Sequence, residues 1–204
     1  MIEDTKQLMT PEEATENLFG EQYVEWMLNT AVRTVRAWPE MESMRTATPK
    51  IEKIRKFLIQ RFIAAEAFLG GKEGDPGFLG FAIGNLSEVS DPLAESALEE
   101  LEKLRDKVSR SSSGERESWV KLLKAVGVTA DEIQRAEPKE PARTYIAELS
   151  DVYSNSDWQT AIGSFEAQLQ CMKPENEALL ALIRNNTGLP EAQVEAMLPK
   201  AEQA

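Results

Sequence analysis

The chain contains no histidine. Imidazole is the commonest side-chain ligand of transition metals and the only side chain whose ordinary titration falls near neutral pH. Its absence removes Ser–His and Cys–His nucleophile pairs, histidine-ligated haem and di-iron sites of the Glu-x-x-His type. Cysteine is almost as scarce. Cys171 stands alone, which rules out an internal disulfide and any multi-cysteine zinc or iron–sulfur centre within one chain. Cations are outnumbered, 23 Lys and Arg against 35 Asp and Glu, for a formal net charge of −12. Such a surface repels phosphate backbones and anionic lipid heads, so neither nucleic acid nor a membrane is expected as a partner. No apolar run approaches the roughly 18 residues that would span a bilayer. The opening "MIEDTKQLMTPEEATENLFG" has no basic region followed by an apolar core, unlike a secretory leader, and a cytoplasmic location is expected.

What is present reads as one domain over residues 1–204, with an ordinary 42% hydrophobic and 28% charged content. "TPEE" opens a helix over Pro11 to Trp38: Thr10 serves as N-cap, Pro11 suits the first helical position, and Phe19, Tyr23, Trp26, Met27 and Val35 fall at helical spacing. "WPEMESMRTATP" interrupts it. A second helix follows with Ile51, Ile54, Leu58, Phe62, Ala65 and Leu69 on one face, stopped by Gly70 and Gly71. Phe78 to Leu86, "FLGFAIGNL", is apolar all round and implies a helix buried on every side. Leu93 to Val108 is a charged helix with Leu98, Leu101, Leu104 and Val108 inside, "SRSSSGERES" reads as a solvated loop, and "ERESWVKLLKAV" is a further amphipathic helix closed by Gly127. Thr129 with Glu132 makes a capping box. After the stiff "EPKEP", helices are expected over Arg143 to Val152 and Asp157 to Met172, then two short ones in "PENEALLALIRNNTG" and "LPEAQVEAMLPK", within 173–204. Every long periodic segment has the 3.6-residue period and none alternates like a strand. The fold class is therefore all-α, a bundle of seven to nine helices.

Three stretches resemble the haem-oxygenase-like helical superfamily, in the branch of thiaminase II, the pyrroloquinoline quinone synthases and the haem-oxygenase-like di-iron oxidases. They are "IEKIRKFLIQRFIAAEAFLGG", "IGNLSEVSDP", and "ESWVKLLKAVGVTADEI" continued by "YIAELSDVYSNSDWQTAIGSFEAQLQ", together covering about residues 51–170. The resemblance implies a haem-oxygenase-like bundle and puts Glu66, Glu88 and Glu166 where ligating or catalytic carboxylates are expected. It also marks departures. Metal-binding members place a histidine near the helix that here reads "ESWVKLL", where Glu117 and Ser118 stand, and take histidine and acid from a final long helix that is short here.

The candidate catalytic residues are accordingly Glu166, Glu88 and Glu66. If the helices bundle as in the superfamily, Asp91, Glu148 and Asp151 join them, and a site of oxygen ligands alone suits magnesium, calcium or manganese better than iron. Most acids in a chain with 35 of them are caps or solvent-facing residues, and no metal ligand set or cofactor is assigned. Glu166 follows Ile162 and Phe165 on an inward-facing helix, with Tyr145 and Arg61 as prospective partners. Cys171, read as lying near a helix C-terminus, is a poor thiolate there. Tyr23, Trp26, Phe62, Phe81, Tyr145 and Phe165 are the candidate lining of a ligand pocket between helices. The leading expectation is a binding or accessory protein that has lost a histidine-based metal site, taking a small-molecule ligand, a protein partner or a second copy of itself. Two alternatives stay open: an enzyme using carboxylates with or without a hard metal, and a scaffold docking a partner on the helix from Leu93 to Val108.

Overall fold

The computed structural model of the chain describes residues 9–18, 20–70 and 77–198; of these, the side chains of 69 and 107–115 are left undescribed, so the expected inward roles of Phe19, Leu69 and Val108 and the expected stop at Gly71 lie outside it. Ten helices and no strands are present among the described residues: α1 Pro11–Asn17, α2 Glu21–Ala37, α3 Pro39–Thr46, α4 Ile51–Leu69, α5 Gly77–Ser87, α6 Pro92–Ala125, α7 Ala130–Gln134, α8 Glu140–Asn155, α9 Trp158–Thr187 and α10 Glu191–Met197. The all-α class holds, with one helix beyond the expected range.

The local signals behave as their chemistry requires. Thr10 and Thr129 both form reciprocal capping boxes, with Glu13 and Glu132. Gly70 and Gly188 end α4 and α9 in the left-handed region, at φ 73° and 70°. The differences arise at helix junctions. The expected first helix divides into α1 and α2 because Gly20 turns the chain at φ 54°. "WPEMESMRTATP" is not merely a break. Pro39 starts α3 after an extended Trp38, acids fill its first turn, and buried Met41 anchors it. Asn185 and Asn186 then donate to the carbonyls of Arg45 and Ala47, at 3.1 and 3.2 Å, tying the end of α3 to α9.

Two expected interruptions are bridged. "SRSSSGERES" lies inside the 34-residue α6. Buried Leu101 and Trp119 flank it, and they are separated by about five turns, so both halves present one stripe in phase and the intervening polar residues follow. Likewise Pro174 sits inside the 30-residue α9. An interior proline costs roughly 3 kcal/mol. Here the apolar face continues through it, with Ala161 and Phe165 buried before it and Ala178, Leu179, Leu182 and Ile183 buried after it.

These two long helices run through both main cores. In one, Ile54, Leu58 and Phe62 of α4 meet Trp119, Leu122 and Leu123 of α6, Leu179, Leu182 and Ile183 of α9, and Val194 and Met197 of α10. In the other, α5 supplies Phe78, Leu79, Ala82, Ile83 and Leu86 against Leu101 of α6, Tyr153 of α8, and Ala161 and Phe165 of α9. The apolar α5 is thus the centre of the second core, although it is not buried on every side as its composition suggests: Gly84 and Ser87 are exposed. Asn85, in the "GNLSEVSDP" segment, fastens it by donating to the carbonyls of Tyr153 and Ser156 at 3.1 and 2.9 Å. These are orphan carbonyls at the end of α8, so Asn85 holds the last turn of α8 against α5.

Candidate functional site

Where α4, α8 and α9 meet, polar side chains gather on an aromatic floor. Phe68 stacks on Phe165 with centroids 5.2 Å apart, and Phe78 lies 5.4 Å from Tyr153, which in turn lies edge-on to Phe165 at 6.0 Å. Above this floor Tyr153, fully buried, donates its hydroxyl to Gln168 Oε1 at 2.6 Å. Gln168 Nε2 donates onward to the Tyr145 hydroxyl oxygen at 2.9 Å. Arg61 of α4 forms a short charge-assisted bond to Glu175 of α9. Phe165, Gln168, Cys171 and Glu175 come from successive turns of α9, so one helix carries most of the set.

The electrostatics follow from partial burial. Tyr145 keeps 38% of its surface open to solvent and buries the rest. Burial first, then the negative charge of Glu175, push its phenol up to about 12, against a smaller opposing effect of Arg61. Tyr153 is pushed up further by burial, with Tyr145 adding to it. Burial and the Glu175 charge also raise the Cys171 thiol. Cys171 therefore stays an S–H, although not for the reason its sequence position suggested: α9 continues past it and no helix end is nearby.

A raised phenol binds its proton more tightly in the folded chain, so this stabilisation is complete below the ordinary value of 10.0 and is lost as pH climbs through the folded value. Urea-unfolding midpoints should therefore fall between pH 10.0 and about 12 in the wild type and fall less steeply in Tyr145→Phe. Equal slopes in the two proteins would place the Tyr145 hydroxyl in ordinary solvent.

The sequence-derived carboxylates take other positions. Glu66 pairs with Arg116 across α4 and α6 at 2.8 Å, and Arg116 also lies over the Phe62 ring at 5.8 Å. Glu88 is exposed on the turn after α5, and Asp91 is spent as the N-cap of α6, accepting from Leu93 N at 2.7 Å. Asp151 accepts from Asn155, and Glu148 is exposed. Glu166 accepts from Gln170 Nε2 at 2.8 Å and meets neither prospective partner, because Tyr145 is held by Gln168 and Arg61 by Glu175. Among the described residues, no three of Cys, Asp and Glu gather closely enough to hold a metal ion.

The aromatic set divides among three clusters. Tyr145, Phe165 and Phe81 belong to the second core, Tyr145 through an edge contact with Phe78 at 6.5 Å. Phe62 lies in the first core. Tyr23 and Trp26 stack at 6.0 Å beside Ala14 and Leu18, where Trp26 Nε1 is buried without a hydrogen-bond partner. Sequence reasoning missed Gln168 and Glu175. Both were legible only as polar interruptions of the apolar edge of α9, a signal that exposed residues share.

A concavity of about 330 Å³ lies between α4, α7 and the start of α8, lined by Lys56, Gln60, Glu132, Arg135 and Lys139 among others. Its polar groups serve the fold. Gln60 bridges Glu137 O and Lys139 N, and Glu132 closes the Thr129 cap.

The family model described as TENA/THI-4/PQQC matches residues 93–190, just under half the chain. No curated protein and no solved structure matches. The matched residues take in α6 to α9 and hence Tyr145, Tyr153, Gln168 and Glu175, while Arg61 precedes them. The metal centre that the superfamily resemblance implies does not fit this donor set: the chain has no imidazole, Glu66 is neutralised by Arg116, and Asp91 is engaged as a cap.

Proposed function

From a chain whose residues 93–190 match the TENA/THI-4/PQQC family model, we propose a cytoplasmic small-molecule-binding or accessory protein of the haem-oxygenase-like helical superfamily, whose site is the α4–α8–α9 seam. It works by hydrogen bonding and aromatic contact, without a histidine-held metal. The observation that carries this reading is the chain of bonds from Tyr153 through Gln168 to Tyr145, set beside the Arg61–Glu175 pair on a floor of phenylalanines. A hydrogen-bonded polar group placed among aromatic side chains and half-open to solvent is how small-molecule sites combine affinity with orientation. The Arg61 and Glu175 side chains retain 35% and 21% exposure, so the seam is reached from outside without unfolding either core.

A thermal-shift screen of aromatic carboxylates, nucleobases and quinones tests the proposal. At least one class should raise the melting temperature of the wild type and of the surface variant Glu25→Gln. Affinity should fall roughly tenfold in Arg61→Ala, the scale of a charge-assisted hydrogen bond. A panel without effect on the wild type, or an Arg61→Ala protein that responds as the wild type does, would refute the assignment.

A further inference from the structure

The seam has a polarity that follows from counting its hydrogens. Tyr153 is fully buried, and among the described residues its hydroxyl has one hydrogen-bond partner, Gln168. A buried hydroxyl must donate, since leaving its hydrogen orphaned is costlier than any arrangement that pairs it. That requirement fixes the Gln168 amide with Oε1 toward Tyr153, and so turns Nε2, a donor only, toward Tyr145. The Tyr145 oxygen is thereby occupied as an acceptor, and its own hydrogen has nowhere within the chain of bonds to go.

The neighbours reinforce this bias. Arg61 uses one N–H on Glu175 and has further donors in its fork. The Cys171 thiol keeps its proton. The Glu175 carboxylate is paired with Arg61 through Oε2, and among the described residues no hydrogen bond joins it to the Tyr145 hydroxyl. Building on the proposed site, we infer that Gln168 is a positioning residue that holds the Tyr145 O–H as an obligate donor, so that the seam selects planar ligands presenting a hydrogen-bond acceptor such as a carboxylate or carbonyl.

Benzoate and benzamidine provide the test. They share a shape and differ in offering only acceptors or only donors, and a net charge of −12 pulls the protein toward benzamidine, against the prediction. The wild type should bind benzoate roughly tenfold more tightly, the discrimination of one charge-assisted hydrogen bond. Tyr145→Phe should abolish most of that selectivity, bringing the two probes within about twofold. Gln168→Glu still accepts from Tyr153 but also accepts from Tyr145, which turns the Tyr145 hydrogen away from the seam. In that background Tyr145→Phe should change benzoate affinity less than about twofold, against roughly tenfold in the wild type, a coupling that altered charge alone does not produce.

Equal binding of the two probes, or losses that simply add in the double variant, would overturn the inference and leave the site standing. Failure of the wild type to bind either probe would overturn the inference, and the site falls with it only if the nucleobases and quinones also leave the melting temperature unchanged. If Gln168→Glu does not fold by near-ultraviolet circular dichroism, the Tyr145→Phe selectivity ratio still decides the matter.

Discussion

Replacing Gly77 with alanine is expected to lower the unfolding free energy by roughly 2–5 kcal/mol, summing left-handed backbone strain and overpacking against rigid atoms. Gly77 opens α5 at φ 60°, and a Cβ there would lie 2.8 Å from Phe68 O and 2.9 Å from Gly70 Cα, with Gly70 N nearer still. All three atoms are backbone, so no side chain can rotate away. The end of α4 and the start of α5 meet at this point, and separating them would pull Phe78 and Leu79 out of the second core. Gly20→Ala is the control. Its φ of 54° is likewise positive, with ψ at −129° outside the left-handed helical region, and nothing lies within 4 Å of an added Cβ, so only the conformational part remains, about 1–3 kcal/mol. Urea unfolding of both variants separates the terms. A Gly77→Ala protein no less stable than Gly20→Ala would show that the two helix ends are not in close contact.

The second large effect belongs to Tyr153, the largest fully buried side chain. Tyr153→Ala should cost roughly 3–5 kcal/mol, as for other buried aromatics, because it leaves a void facing Phe78 and Phe165. Tyr153→Phe keeps the ring contacts and removes only the bond to Gln168, which costs about 0.5–1.5 kcal/mol. Together the two substitutions measure the ring and the hydroxyl of one residue. The phenylalanine form also releases Gln168 from its fixed orientation, so it should blunt ligand selectivity at the seam while leaving the fold nearly intact. If alanine costs no more than phenylalanine, the second core does not close around Tyr153.

These effects concentrate where α4, α5, α8 and α9 converge, and they connect fold to function directly. Asn85 fixes the end of α8, α8 presents Tyr153, Tyr153 orients Gln168, and Gln168 orients Tyr145. Every step except the helix α8 itself is a hydrogen bond with a named donor. A change at the "GNLSEVSDP" segment would therefore reach the seam through the backbone of α8, although Glu88 and Asp91 of that segment do not themselves face it.

By itself the sequence determined the helical class, the caps at Thr10 and Thr129, the stops at Gly70 and Gly188, and the burial of most of "FLGFAIGNL", because each depends on residues within one or two turns of one another. The missing histidines likewise settled, before any fold was known, that no nitrogen-rich metal centre is available within the chain. Tertiary packing decided the rest. The serine-rich stretch of α6 and Pro174 of α9 are helical because apolar faces on either side of them stay in phase, which outweighs weak local propensity. The site followed the same logic: which of many acids, glutamines and tyrosines share a seam depends on how α4, α8 and α9 rotate against one another. Arg61 and Glu175, far apart along the chain, become partners only once the two cores have set that rotation.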